Sequence, residues 1–381
     1  MQDILRKFQA IAQNPGQYLA QWKELTQKKI VACIPMHFPE EIIHAAGLLP
    51  AIIWESPEPF SIAYAHIPNF FCGFVRSVVD MALKDRINFF DGIVSPDTCL
   101  QVRGIKNILY WNYKCAFQGY LFLPPVLRGQ ASSVLLRDEL TRFKAGLENF
   151  AGHEITNQAL GQSIDLYNRN RKLLRELYDL RRENPGLLNA KEILAIVSAS
   201  MVMPKEEHSQ LLSDLLSKLR TRPPAARNGV RLILAGSLCE APKFDILDIL
   251  EETGAVVVDD DLYTGSRYFV QDVEVDVSPI EALARHYETM IPCCPSRIDP
   301  KNDWGSYLIN MVRRNNAQGV LNLMVKYCEP HNLWYPDVKK SLDRAGIPEF
   351  LLETDHEVMS LGQIETRLQA FVEMIGGVWN G

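Results

Sequence analysis

KKIVACIPMHFPEEIIHAAGLLPAIIW, residues 28–54, decides the fold class of this chain. Residues 28–35, KKIVACIP, are short, apolar and β-rich, and they run into a stretch with every mark of a helix start. Pro39 suits a first helical turn, Glu40 and Glu41 complement the positive end of the helix dipole, and Gly47 supplies a stop. AIIW at 51–54 reads as the next strand. The unit is strand, loop, helix, strand, and its repetition builds a mostly parallel sheet.

The same alternation spreads outward. NFFCGFVRSVVDMALKD at 69–85 has apolar residues at helical spacing, and NFFDGIVSP at 88–96 reads as a buried strand closed by Ser-Pro. DTCLQVRGIKN reads as a loop after it, and NILYWNY at 107–113 as a further strand. From 136 to about 220 the pattern becomes long, charged and helical, and TRPPAARNG at 221–229 reads as a linker. A second α/β unit follows: VRLILAG, AVVVDDDLYTG, QGVLNLMV and IPEFLLETD as strands, with FDILDILEETG, PDVKKSLDRAG and a last helix over about 363–375 between and after them. The expected division is 1–135 for N-terminal helices and a first α/β domain, 136–227 for a helical insert and linker, and 228–381 for a second α/β domain.

Composition narrows the function. The chain has 381 residues, 47% hydrophobic and 23% charged, with a formal charge of -6, so it lacks the basic excess of a nucleic-acid binder. MQDILRKFQAIAQNPGQY at the start is charged where a secretory signal would be apolar, and LLNAKEILAIVSASMVMP is interrupted by Lys191 and Glu192. The expectation is a soluble cytoplasmic protein with no membrane or nucleic-acid partner. No P-loop, no GxGxxG opening a helix and no GxSxG elbow is present, so no nucleotide is expected on this chain.

The eight cysteines are Cys33, Cys72, Cys99, Cys115, Cys239, Cys293, Cys294 and Cys328, with no CxxC pair. Spread over a long non-exported chain, they read as core thiols, metal ligands or nucleophiles rather than a disulfide framework. Cys99 lies five residues past NFFDGIV and Cys328 three past NLMV, at the carboxyl edges where open α/β sheets bind ligands. Cys33 and Cys239 also follow strands, so position alone does not separate them. Cys72 stands at a helix start, where the dipole favours a thiolate. Three thiolates from distant segments suit an iron-sulfur cluster, with zinc as the chemical competitor.

PEEIIHAAGLLP, NFFCGFVRS, SPDTC, DDDLYTGSRYF and VKYCEP, in this order, resemble the benzoyl-CoA reductase and 2-hydroxyacyl-CoA dehydratase iron-sulfur subunit family, and most closely the smaller benzoyl-CoA reductase subunit. The resemblance implies two flavodoxin-like domains with a helical portion and a 4Fe-4S cluster in the cleft between them, held by Cys72, Cys99 and Cys328. A double-cubane branch of the family uses more cysteines, and the remaining thiols keep it open. The resemblance further implies a second homologous iron-sulfur subunit, a separate ATPase activator carrying its own cluster, and an acyl-CoA substrate. The implied reaction is reduction of benzoyl-CoA to a cyclohexadiene-carboxyl-CoA, with 2-hydroxyacyl-CoA dehydration as the alternative. Outside the family, the rival is a non-catalytic zinc or scaffold protein.

Other candidates follow. Arg76 and Ser77, on the helix after Cys72, and Lys326, beside Cys328, are candidates for contacts that tune cluster potential. Glu41 and His44, three apart on one helical face, are a candidate acid/base pair, although first-turn dipole pairing explains Glu41 more simply. Asp259, Asp260 and Asp261 read as a solvated acidic turn, and His331, Trp334 and Tyr335 as walls rather than catalysts.

Overall fold

The computed structural model describes residues 1–36, 38–223, 228–236, 239–356 and 360–378. Helices α1 (Gln2–Gln13) and α2 (Pro15–Thr26) precede a sheet of β1 (Ile30–Cys33), β2 (Leu49–Ile52), β3 (Gly92–Pro96) and β4 (Phe117–Leu121). Its crossovers carry α3 (Glu40–Ala45), α4 (Gly73–Leu83) and α5 (Leu100–Asn112). The order is β2-β1-β3-β4, with every pairing parallel.

Four helices then intervene: α6 (Gln130–Ala151), α7 (Asn157–Glu183), α8 (Ala190–Ser200) and α9 (Lys205–Arg220). Helix α6 runs across the division expected at residues 135 and 136. Part of the linker read over 221–229 lies outside the described residues.

The second sheet repeats the first. Strands β5 (Val230–Gly236), β6 (Ala255–Asp261), β7 (Gly319–Val325) and β8 (Glu349–Thr354) are ordered β6-β5-β7-β8, again all parallel. Helices α10 (Phe244–Glu252), α11 (Pro279–Thr289), α12 (Trp304–Arg314), α13 (Glu329–Arg344) and α14 (Leu361–Val378) accompany it. Both sheets thus have the flavodoxin-like order, which reverses direction between its first and third strands. Strands β1, β3, β6 and β7 are buried along their whole length, as expected of parallel strands covered on both faces. Among the described residues no helix is long and apolar enough to cross a membrane.

The inserted helices weld the two sheets together. Helix α1 packs on α8, α3 on α7, and α6 on α11, so one apolar core runs from Phe8 and Ile30 through Leu174 and Leu212 to Ile233 and Val320. A second core, built around Leu232, Leu250, Leu321 and Leu368, fills the far face of the second sheet.

Two readings need correction. NILYWNY is not a strand: it is the end of α5, which begins at Leu100 where a loop was expected. Val102, Ile105 and Leu109 are buried at helical spacing, whereas Tyr110 and Trp111 face outward. The fourth strand is FQGYL, an edge strand with little apolar signal. The three aspartates are not a solvated turn either, because they form the buried end of β6. Arg314 reaches Asp259 at 2.9 Å, Arg181 reaches Asp260 at 3.3 Å, and Arg267 clasps Asp261 with two bonds of 2.7 Å. Two arginines distant in sequence and one just beyond the strand neutralise a charge run that looks exposed when read alone.

Candidate functional site

The point at which each strand order reverses is where the chain converges. One cavity is lined by Met36 beyond β1, Cys99 beyond β3, Cys239 beyond β5 and Cys328 beyond β7, with Cys72 and Cys294 completing the sulfur set. The central strands of both sheets therefore deliver their carboxyl ends to one place.

Cys72, Cys99 and Cys328 share a local design. Each is the N-cap of a helix: Cys72 of α4, Cys99 of α5 and Cys328 of α13. Val102 N–H donates to Cys99 Sγ at 3.5 Å, and the N–H groups of Val75 and His331, also three residues on, bear on Cys72 and Cys328. Three helix dipoles point their positive ends at the sulfurs. Burial works the other way and raises all three thiols, and charge on neighbouring thiols adds to it. Cys328 is pushed up to about 12. A crowd of buried thiolates is costly by itself and becomes favourable when a cationic centre neutralises it.

One side chain that the sequence reading missed ties these segments together. Gln101 Oε1 accepts from the Cys72 N–H at 2.7 Å, and its Nε2 donates to the Tyr327 carbonyl at 2.9 Å. Sitting on α5 two residues after Cys99, Gln101 bridges all three cysteine segments across the two sheets. Tyr327 itself has φ of 65°, a left-handed conformation costing on the order of 1–3 kcal/mol for a bulky residue, and this turn leads the chain straight into Cys328. Gly73, the first residue of α4, has no room for a Cβ, which would stand 2.7 Å from Glu240 Oε1 and from His356 Cβ. Gln101 lies in none of the quoted motifs, and Gly73, although inside NFFCGFVRS, shows its role only in the fold.

Arg76, Ser77 and Lys326 spend their hydrogen bonds elsewhere. Arg76 is buried, reaches Asp355 at 3.4 Å and Tyr64 Oη at 3.3 Å, and stacks over Phe60. Ser77 Oγ accepts from the Ser56 N–H at 2.8 Å. Lys326 lies 3.4 Å from the other oxygen of Asp355. None of the three lines the sulfur cavity, though Arg76 and Lys326 keep positive charge on the cysteine-bearing segments. His331 is buried against Trp304, with its pKa held down to about 3 by burial. Trp334 donates to the Pro295 carbonyl at 2.7 Å.

Glu41 and His44 lie in a different place and are not bonded to each other. Glu41 pairs with Arg171 of α7 in a second cavity that also holds Glu40, Lys205, Tyr268 and His286. His44 is held by Ser163 at 2.9 Å and Glu206 at 3.1 Å. In the second cavity Tyr268 Oη donates to both oxygens of Glu40, at 2.9 and 3.0 Å, and Lys205 stands 3.6 Å away. Burial would raise Glu41, yet Arg171 takes it below the usual carboxylate range, whereas burial leaves Glu40 raised.

The donor set around the sulfur cavity is made of thiols, the ligand type that both zinc and iron-sulfur clusters take. Among the described residues no group of three or more His, Cys, Asp or Glu is arranged to hold one metal ion. A lone zinc would draw its thiolates together on bonds of about 2.3 Å. A cubane instead takes one thiolate at each separate iron corner, as sulfurs spread around a shared cavity can provide.

The chain is 30% identical over 375 residues to the beta subunit of the lactoyl-CoA dehydratase of Anaerotignum propionicum, covering 98% of both chains. It is 30% identical over 351 residues to the C subunit of the benzoyl-CoA reductase of Thauera aromatica, covering 91% of both. It is 27% identical over 372 residues to the (R)-phenyllactyl-CoA dehydratase beta subunit of Clostridium sporogenes, covering 97% of both. Residues 35–375 match the family described as 2-hydroxyglutaryl-CoA dehydratase, D-component, and the chain belongs to that family.

Proposed function

We propose that this chain is the 4Fe-4S subunit of an acyl-CoA reductase or dehydratase, with Cys72, Cys99 and Cys328 as cluster ligands. The observation that carries the proposal is the meeting of three N-cap cysteines, from both sheets, in one cavity. A bound cluster supplies one-electron transfer at low potential. The chain's part is to present thiolates at helix N-termini, to fix their segments through Gln101, and to exclude water by burial. Arg76 and Lys326 act on the site through charge rather than contact.

Benzoyl-CoA reduction and 2-hydroxyacyl-CoA dehydration stand level, because relatives named for each kind of reaction are 30% identical to this chain. The relatives are beta or C subunits, which supports partner subunits for this chain; a second homologous iron-sulfur subunit and an ATPase activator with its own cluster as electron donor are the partners we propose. Cys239 and Cys294 favour the double-cubane alternative as a second reading, since both line the same cavity.

Anaerobic purification with iron, sulfide and zinc analysis tests the assignment. About four irons with matching sulfide are expected, about eight would assign the double cubane, and zinc without sulfide would sink the cluster altogether. Assays of the chain with its co-purified partner and an ATPase donor, on benzoyl-CoA and on a 2-hydroxyacyl-CoA, choose the reaction.

A further inference from the structure

One guanidinium lies buried with its best edge empty. Arg297, on the segment between α11 and α12, is 6% exposed, and among the described residues nothing accepts from its Nε or Nη2. Those two nitrogens form the edge that takes both oxygens of a carboxylate side-on. Elsewhere in this chain the same edge is filled. Arg103 gives Nε and Nη2 to Asp97 at 2.8 Å each, and Arg267 gives them to Asp261 at 2.7 Å each. A buried charge without a partner is costly, so an empty fork of this kind calls for an oxyanion from outside the chain.

Arg297 lines a cavity of about 340 Å³, mouth included, whose walls are largely aliphatic: Leu123, Leu127, Leu136 and Met290. Among the described residues no second cation lines it. Cys293 and Cys294 line it too, and Cys294 is shared with the neighbouring sulfur cavity. Cys293 does not supply the missing anion, because burial pushes its thiol up to about 12 and the thiol donates to the Arg297 carbonyl at 3.8 Å. Asp299 is held by Arg128 Nε at 2.7 Å and by the Lys301 N–H at 2.9 Å. Its second oxygen is also without a partner, but the residue does not line the cavity.

The site is built in advance. The Ile298 N–H donates to the Pro125 carbonyl at 2.9 Å, and the Ile298 carbonyl accepts from the Leu127 N–H at 2.8 Å. The backbone that carries Arg297 is therefore fastened to the backbone that carries the aliphatic wall. One positive charge with a two-pronged edge, set among apolar side chains, selects a monoanion with two oxygens on one carbon and a short apolar tail. A phosphate dianion would leave one charge uncompensated.

We propose that Arg297 and the aliphatic walls around it form a binding site for a short-chain monocarboxylate, separate from the sulfur cavity and independent of what fills that cavity. Bound there, the carboxylate ties the segment carrying Cys294 to α6 and to the chain beyond β4, and it stabilises the fold by mass action.

The test uses the anaerobically purified full-length chain. Urea unfolding is followed with sodium formate, acetate or chloride at constant ionic strength, and isotope-labelled acetate is titrated by nuclear magnetic resonance. In the wild type each tenfold rise in acetate beyond half-saturation should raise the folded-to-unfolded ratio about tenfold. Acetate should bind about fourfold more tightly than formate, for its one buried methyl group. Chloride, which has no second oxygen, should give no saturable response. Arg297→Met should lose the acetate response, and Arg297→Lys, which keeps the charge without the fork, should weaken it by at least about tenfold. A wild type blind to acetate, a chloride response equal to that of acetate, or an unchanged acetate response in Arg297→Met overturns the proposal. The wild-type comparison of acetate with chloride needs no substitution, so it decides the matter even where a variant misfolds. None of the readouts uses iron, so a chain found to hold no cluster leaves this test intact.

Discussion

Two cavities sit between the sheets of this protein, and they are built on opposite principles. The sulfur cavity gathers five thiols from five segments, and their charges would repel one another as thiolates. The charged cavity gathers Glu40, Glu41, Arg171 and Lys205, and there each acid already faces a base. Buried ionic groups that satisfy one another hold elements together, whereas buried donors that need an external cation mark a ligand site. The contrast supports the proposal that the sulfur cavity carries the chemistry and the charged cavity holds elements together, although the second contains the more conventional catalytic residue types.

Removing one sulfur is the harshest way to break that assignment. Cys99→Ala should strip the iron from the chain, because it deletes a ligand, whereas Cys115→Ala should keep full iron content, because that thiol lies outside the cavity. Iron and sulfide per chain after anaerobic reconstitution provide the readout. Equal iron content in the two variants would show the ligand set to be wrong.

The charged cavity should answer through stability instead. Arg171→Met leaves Glu41 buried without its base, which costs about 3–5 kcal/mol for pairs of this kind. Replacing both partners, as Glu41→Gln with Arg171→Met, should recover much of that loss, since neither charge is then stranded. Urea unfolding measures the change, and iron per folded chain should stay at the wild-type level. Loss of the cluster in a stable Arg171→Met variant would mean that the two cavities are not separate in function.

How much of this was readable in the sequence depends on whether the cause was local. Strands β5 and β7 announce themselves as VRLILAG and VLNLMV because strands buried on both faces need continuous apolar residues. Strand β4 hides, since an edge strand reading FQGYL needs little apolar side chain, and α5 borrowed its place because NILYWNY is apolar at either period. The chain positions of Cys99 and Cys328, just past strands, were legible. Cys239 and Cys294 were not distinguishable from core thiols, because what brings them to the cavity is the mutual placement of the two sheets. Asp259, Asp260 and Asp261 misled for the same reason: their arginine partners come from α7, α12 and the segment after β6.

The smallest expected effect lies next to the charged cavity and concerns a proton. His208 Nε2–H donates to the Ile196 carbonyl at 3.0 Å, while its Nδ1 accepts from Asn170 Nδ2 at 2.8 Å. That arrangement requires the neutral ring, since a proton on Nδ1 would set two donors face to face. Burial, reinforced by nearby Lys205, lowers its pKa to about 3, well below the ordinary histidine value of about 6.5. The unfolded chain therefore binds a proton between those limits that the folded chain refuses. His208 costs nothing above about pH 6.5, and below it removes about 1.4 kcal/mol of stability for each unit that pH falls, down to the folded pKa. His286 and His331, at about 4 and about 3, act in the same direction. Urea unfolding of the metal-free chain, followed from about pH 7 to about pH 5, should give a slope that His208→Gln reduces by one histidine's share. Glutamine can still donate to the Ile196 carbonyl without offering a site for the proton, so an unchanged slope would place the acid sensitivity in other groups.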